Sequence, residues 1–173
     1  MKSKVNALIS ALLVATLVLT GCSITTEKKG KQNSSAAENK KNSRYTDYYN
    51  AKVQYVGDNS KVINLLSTLK VDDLGEYTIA LTTNKEPYGL TINYSKLKEN
   101  VDENKFKAIG QIDYAFYLLA LVENLSFVDL NYKTYNYHLD IEKANKTVNG
   151  KIKDYRSSPE KLKELNDKLN PKD

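Results

Sequence analysis

Alternating hydrophobicity in the central part of this chain constrains it to a fold that contains a β-sheet. Apolar and polar side chains alternate over residues 76–83 and again over 90–95, with the period of two that half-buried strands have. The turn-forming segment 84–89 joins them, which predicts a β-hairpin. A second alternation, over 127–139, predicts another hairpin with its turn at 132–134. Each hairpin has one apolar face that needs a covering layer.

Four segments with helical periodicity supply that layer. They are 59–69, 111–125, 140–148 and 158–169. The second has the most complete apolar stripe, which consists of Ile112, Ala115, Phe116, Leu119, Val122 and Leu125, widened by Leu118 and Leu121. Capping residues precede three of the segments: Asp58 or Asn59, Asp140, and Ser158. The sequence therefore predicts an α+β fold in which an antiparallel sheet of two hairpins packs against helices.

Two shorter segments complete the predicted domain, which spans residues 45–173. Residues 53–56 are expected to form a short edge strand, because apolar side chains recur there just before the turn at Gly57. Residues 98–105 are rich in charge and are expected to form a loop. Gly150 is expected to end the helix that starts after Asp140.

An apolar leader precedes the domain. Lys2 and Lys4 are followed by a run of apolar and small residues, 7–19, which is shorter than the roughly 20 residues that a membrane-spanning helix needs. The run ends in Leu-Thr-Gly-Cys at 19–22, which resembles the lipobox of bacterial lipoproteins. The resemblance implies that residues 1–21 are a signal peptide and that Cys22 carries the lipid. The alternatives are an uncleaved anchor and an ordinary secreted protein.

Residues 22–44 are predicted to be a disordered tether. They are dominated by Lys, Ser, Asn and Glu, and such a segment cannot bury enough apolar surface to offset the entropy of ordering. The tether carries six Lys or Arg and two Glu, whereas residues 45–173 carry 18 basic and 19 acidic side chains. The basicity of the chain therefore belongs to the leader and tether, and the domain has no electrostatic signature of nucleic-acid binding.

Two motifs in the domain carry a further resemblance. Residues 55–62 read Tyr-Val-Gly-Asp-Asn-Ser-Lys-Val, and residues 85–90 read Lys-Glu-Pro-Tyr-Gly-Leu. Together they resemble a small extracytoplasmic domain of unknown function in Gram-positive lipoproteins, similar to domains appended to membrane-bound sensor peptidases. The resemblance covers about residues 50–170. It implies an extracytoplasmic location and assigns no catalytic residue.

Residues capable of catalysis or metal binding are sparse in the domain. His138 is the single histidine, and His138, Asp140 and Glu142 would share one face if the strand continued. Asp140 is better placed as a helix cap, which breaks that spacing, so no metal site and no cofactor are predicted. A Ser-His-Asp triad would need His138 beside Ser60 or Ser126, and no nucleophile motif surrounds either serine. No catalytic residue is predicted.

The strongest candidate for a contact site is the loop that contains Glu86, Pro87 and Tyr88. The chain has 13 tyrosines and no tryptophan, and a tyrosine in a loop offers an apolar ring with a polar tip. The alternative is that Pro87 and Gly89 only set the geometry of the turn, with Gly89 at a positive φ.

These observations predict a lipoprotein on the outer face of the cytoplasmic membrane that acts as a non-enzymatic binding or sensory module. Its partners would be the membrane, through the lipid on Cys22, and an envelope protein or wall polymer. The alternatives are a hydrolase directed at the cell wall and a glycan-binding lipoprotein, because both share this location.

Overall fold

A computed structural model describes residues 44–109 and 114–171. The helices are α1 (44–50), α2 (Asn59–Thr68), α3 (Glu103–Ile109), α4 (Ala115–Leu121), α5 (Ile141–Val148) and α6 (Pro159–Leu169), with 3₁₀ helices at Val71–Asp73 and Ile152–Ser157. The strands are β1 (Gly75–Thr82), β2 (Gly89–Leu97), β3 (Phe127–Tyr132) and β4 (Tyr135–Asp140). The predicted signal peptide and residues 22–43 of the predicted tether lie outside the described residues. None of the helices described here is long and apolar enough to cross a membrane.

The predicted α+β class and both hairpins are confirmed, and the sheet is mixed rather than wholly antiparallel. Its strand order is β1-β2-β3-β4, and β1 with β2 and β3 with β4 are antiparallel pairs. The central pair, β2 and β3, is parallel. Parallel neighbours need a long crossover, and residues 98–126 supply it with α3 and α4. The sequence identified the hairpins but not how they join, because that depends on where the crossover returns.

The apolar face of the sheet and helix α4 form the centre of the core. Leu90, Val128 and Leu139 face each other across β2, β3 and β4, and each is fully buried. All seven residues of α4 are buried, because α4 packs against β3 and β4 on one side and against α5 and the second 3₁₀ helix on the other. The burial predicted for Ala115, Phe116, Leu118, Leu119 and Leu121 is therefore confirmed, and it extends around the whole circumference of α4, whereas Ile112 of the predicted stripe lies outside the described residues.

A second part of the core is an aromatic cluster around Phe106 of α3. The Phe106 side chain is 1 % exposed, and its ring centroid lies 5.0 Å from that of Tyr94 and 5.5 Å from that of Tyr132. The prediction of a loop over 98–105 is therefore wrong from Glu103 onward, where α3 begins. Phe106 follows the charged stretch directly, and its burial against the sheet stabilises a helix whose other residues are mostly polar.

Several predicted boundaries change in the structure. The segment 53–56 is not a strand, because Val53 makes only an isolated bridge to Val122. The same bridge ends α4 at Leu121, four residues before the predicted end, since Val122 has extended backbone angles. The predicted start of that helix, 111–113, lies outside the described residues. Arg44, predicted to be the last residue of the tether, is helical and donates a hydrogen bond of 3.0 Å to Asn166.

The predicted helix caps are confirmed. The side chains of Asp58, Asp140 and Ser158 accept hydrogen bonds from the backbone N–H groups of Lys61, Lys143 and Lys161, respectively. Helix α5 ends at Val148, as predicted, but Asn149 rather than Gly150 adopts the left-handed conformation that closes it, with φ of 49°.

The end of α4 is closed by a half-buried lysine, Lys153. The Lys153 Nζ atom donates to the carbonyl oxygens of Leu119, Val122 and Leu125, the last at 2.9 Å. These carbonyls lie at and beyond the negative end of the helix, where a cation is favourable. Burial has the opposite effect, because it disfavours the charged ammonium, and it lowers the pKa of Lys153 to about 7.

The lowered pKa of Lys153 predicts a specific pH dependence of stability. Between about pH 7 and its ordinary pKa of 10.5, the unfolded chain binds more protons at this lysine than the folded chain does. The free energy of unfolding of the wild type, relative to Lys153→Met, is therefore expected to rise as the pH increases through this window. Urea denaturation at several pH values measures it. A flat difference would show that the ammonium stays charged in the folded protein.

Candidate functional site: the open face of the sheet

The face of the sheet opposite the helices carries three rows of side chains across all four strands, and most of these side chains are small or polar. Strand register gives the rows as Thr82-Gly89-Phe127-Asp140, Ala80-Thr91-Asp129-His138 and Thr78-Asn93-Asn131-Asn136. We call these twelve residues the open face. Five of them, Thr78, Ala80, Thr82, Asn136 and His138, are exposed. The alternation that buries Leu90 and Ile92 on the other face places these residues here.

The middle row is organised by Asp129. Its Oδ1 atom lies 2.6 Å from His138 Nδ1, and its Oδ2 atom accepts a hydrogen bond of 3.3 Å from the Thr91 hydroxyl. The other ring nitrogen of His138, Nε2, lies 3.9 Å from a carboxylate oxygen of Asp140. The imidazole is thus held in one orientation, with one nitrogen facing Asp129 and the other nearer Asp140.

This arrangement differs from a catalytic triad. In a triad the imidazole lies between the carboxylate and the nucleophilic hydroxyl, so that it can take the proton of the hydroxyl. Here the carboxylate of Asp129 lies between the hydroxyl of Thr91 and the imidazole of His138. The geometry therefore fixes three polar side chains and does not activate the hydroxyl.

The amide row is ordered in the same way. The side-chain amide of Asn131 donates to the side-chain oxygen of Asn93 over 2.9 Å. Asn131 and Asn93 are a register pair across the parallel strands β3 and β2. Their remaining donors and acceptors are available to a molecule that lies on the sheet.

Two rings form the apolar part of the open face. A Cβ atom at Gly89 would lie 2.0 Å from the ring of Phe127, so the ring covers the backbone of Gly89 directly. The centroids of the Phe127 and His138 rings are 5.5 Å apart, with 34° between the ring planes. Gly89 is therefore required for the close approach of an aromatic ring, rather than for the positive φ expected from the sequence.

The predicted contact loop adjoins the open face. Thr82 and Gly89 form the last register pair of β1 and β2 before the loop, and both belong to the open face. Glu86 and Pro87 are exposed, and the peptide bond between them is cis. Tyr88 is half-buried and packs against the core, and its carbonyl oxygen accepts a hydrogen bond of 2.8 Å from the N–H of Ser126. Glu86 and Pro87 therefore remain candidates for contact, whereas Tyr88 also stabilises the fold through its packing and its backbone hydrogen bond.

The two sequence motifs meet at this end of the sheet. A Cβ atom at Gly57 would lie 3.7 Å from the side chain of Thr83, which places the turn at 55–57 beside the predicted contact loop. Tyr55 in that turn is 64 % exposed. The N–H of Val56 donates over 2.7 Å to the side chain of Asn124, which fixes the turn against the chain that leads into β3.

The suggested metal ligands do not assemble. Asp140 caps α5 as predicted, and its Oδ1 atom accepts from the N–H of Lys143 over 2.8 Å. Within residues 44–109 and 114–171, no group of three His, Cys, Asp or Glu side chains is placed to hold a metal ion.

A cleft of about 640 Å³ lies at the other end of the β1–β2 hairpin. Its lining includes Tyr77 and side chains of both charges, which are Asp72, Glu76, Glu99, Lys96 and Lys98. Gly75 at its floor approaches the backbone closely, since a Cβ atom there would lie 2.0 Å from the carbonyl oxygen of Lys96. The cleft is less ordered by side-chain hydrogen bonds than the open face, which remains the stronger candidate.

The fold and the open face define a small α+β domain with helices on one side of a mixed sheet and an ordered polar surface on the other. The chain belongs to the family DUF4825, a domain of unknown function, which it matches over residues 48–144. The match includes all four strands and the first half of α5, and is shorter than the 50–170 expected from the sequence. Comparisons with curated proteins and with solved structures gave no match.

Proposed function

We infer that this protein is a lipid-anchored extracytoplasmic module that binds an envelope component through its open face and does not catalyse a reaction. The observation that supports binding is the order of that face. Thr91, Asp129 and His138 form one hydrogen-bonded chain, and Asn93 with Asn131 forms a second. Side chains already held in place lose little conformational entropy when a ligand contacts them, which favours recognition.

The proposed location rests on the sequence of the leader. A diacyl group on Cys22 would hold the chain at the membrane durably, because two acyl chains anchor a protein where one binds only reversibly. The six basic side chains of residues 22–44 would add attraction to an anionic leaflet. The domain would then act within reach of the membrane and the wall.

Substitution of the proposed lipidation site is expected to abolish lipid attachment. Cys22→Ala removes the thiol that would carry the diacylglyceryl group, so labelling of cells with a fatty-acid analogue should give no lipidated protein. Ser23→Ala is the matched control, because it leaves Cys22 in place and should label as the wild type does. Lipid found on Cys22→Ala would contradict the anchor.

A wall hydrolase is the alternative from a different class, and the organisation of Asp129 favours binding over it. An assay for soluble fragments released from purified cell walls separates the two functions. We expect no release by the wild type. Release that is abolished by Asp129→Asn or by His138→Ala would show that the open face is catalytic.

A further inference from the structure

We propose that the open face binds an uncharged polysaccharide strand. This inference rests on the proposed binding function and adds to it the chemical class of the ligand. Sugar rings present apolar C–H faces and a periphery of hydroxyl groups. A surface that recognises them therefore combines flat rings with neutral donors and acceptors, and the open face has both.

The rings of Phe127 and His138 provide the apolar floor. They lie side by side on adjacent strands with 34° between their planes, and the Phe127 ring rests on Gly89 without an intervening side chain. A sugar ring can therefore lie against them close to the sheet. Such a contact exploits the π-face of the aromatic ring.

The polar groups of the open face are suited to an uncharged ligand. None of its twelve positions holds a Lys or Arg, so it has no permanent positive charge to neutralise a phosphate or carboxylate polymer. Its carboxylates already have partners, since both oxygens of Asp129 are hydrogen-bonded and Asp140 caps α5. What remains for a ligand are the amides of Asn93 and Asn131 and threonine hydroxyls, which match the hydroxyls of a sugar.

The geometry of the face suits a chain rather than a single sugar. Four strands spaced about 4.8 Å apart give a surface about 14 Å wide, with polar rows across its full width. The backbone hydrogen bonds of β2 and β3 are used on both sides in the sheet, so a peptide lying on the face could not pair with them. A polysaccharide needs only side chains, and these are what the face presents.

Calorimetry on the full-length lipidated protein in detergent micelles tests the proposal. The uncharged probes are the tetramer of N-acetylglucosamine and cellotetraose, and the charged probe is tetragalacturonate. Ala80→Arg places a long cation in the exposed middle row and should weaken binding by at least about tenfold. Ser67→Arg makes the same change of charge at an exposed position on α2 and should leave binding unchanged. Asn131→Ala, a smaller change, should weaken binding about fivefold, the equivalent of one hydrogen bond.

Saturable binding of an uncharged tetramer that Ala80→Arg and Asn131→Ala both weaken supports the proposal. The absence of saturable binding to either uncharged tetramer would overturn it, as would tighter binding of tetragalacturonate. Equal affinity of Ala80→Arg, Asn131→Ala and wild type would show that the sugar binds elsewhere, which also overturns it. If the protein is retained on cell walls but binds neither uncharged tetramer, only the polysaccharide inference is wrong. If it is neither retained on cell walls nor binds a tetramer, the proposed function is wrong as well.

Discussion

Phe106→Ala should lower the free energy of unfolding of the fragment 44–173 by about 3–5 kcal/mol, the usual cost of removing a buried phenylalanine. Phe106 packs α3 against the sheet, and its side chain is only 1 % exposed. Its ring contacts three tyrosines, and the Tyr94 ring lies edge-on at 5.0 Å with an interplanar angle of 79°. Edge-to-face pairs contribute beyond the area they bury.

The cavity left by this substitution has little means of closing. Tyr94 is held by its hydroxyl, which donates to the carbonyl oxygen of Val71 over 3.0 Å, so its ring cannot move into the space. Urea denaturation measures the effect, and Ile63→Ala is the control, because Ile63 is 50 % exposed and should change stability by less than about 0.5 kcal/mol. If Phe106→Ala changed the free energy of unfolding as little as Ile63→Ala does, α3 would not pack on the sheet.

Leu119→Ala should cost about 2–5 kcal/mol by the loss of transfer free energy and the cavity that remains. Leu119 is fully buried in α4, which is enclosed by the sheet on one side and by α5 and the second 3₁₀ helix on the other. Its carbonyl oxygen also accepts from Lys153, so the backbone at this position is fixed and cannot relax toward the cavity. A loss of this size is much of the stability of a small domain.

Thermal denaturation of the fragment 44–173, followed by circular dichroism, measures the effect of Leu119→Ala. The melting temperature should fall well below that of the wild type and of the Ile63→Ala control. A melting temperature equal to that of the wild type would mean that the position is not enclosed, and the packing of α4 described here would be wrong.

The elements that could be predicted from the sequence are those with a clear pattern of apolar residues or a capping residue of their own. The strands of both hairpins alternate because one face is covered and the other is not, and the caps at Asp58, Asp140 and Ser158 follow from local chemistry. Helix α3 was missed because it begins in a charged stretch, and its buried residue Phe106 comes only after that stretch. The parallel pairing of β2 and β3 was missed because it depends on how the connection that contains α3 and α4 returns to the sheet.

The open face could have been found in part from the sequence. A two-residue turn at Lys133 and Thr134 pairs Asp129 with His138, and both lie on the polar side of their strands. Spacing along the chain groups His138 with Asp140 and Glu142 instead, which hides the partner of His138 across the hairpin. The ring of Phe127 over Gly89 could not be predicted, since it depends on the parallel register between β2 and β3.

Retention of the fragment 44–173 on purified cell walls, with and without Ala80→Arg, tests the central claim most directly. The fragment lacks Cys22, so retention reports the domain and not the anchor. The account predicts that the wild type and Ser67→Arg co-sediment with the walls, that Ala80→Arg stays in solution, and that no wall fragments are released. Equal retention of Ala80→Arg and wild type would contradict the claim that the open face is the binding surface.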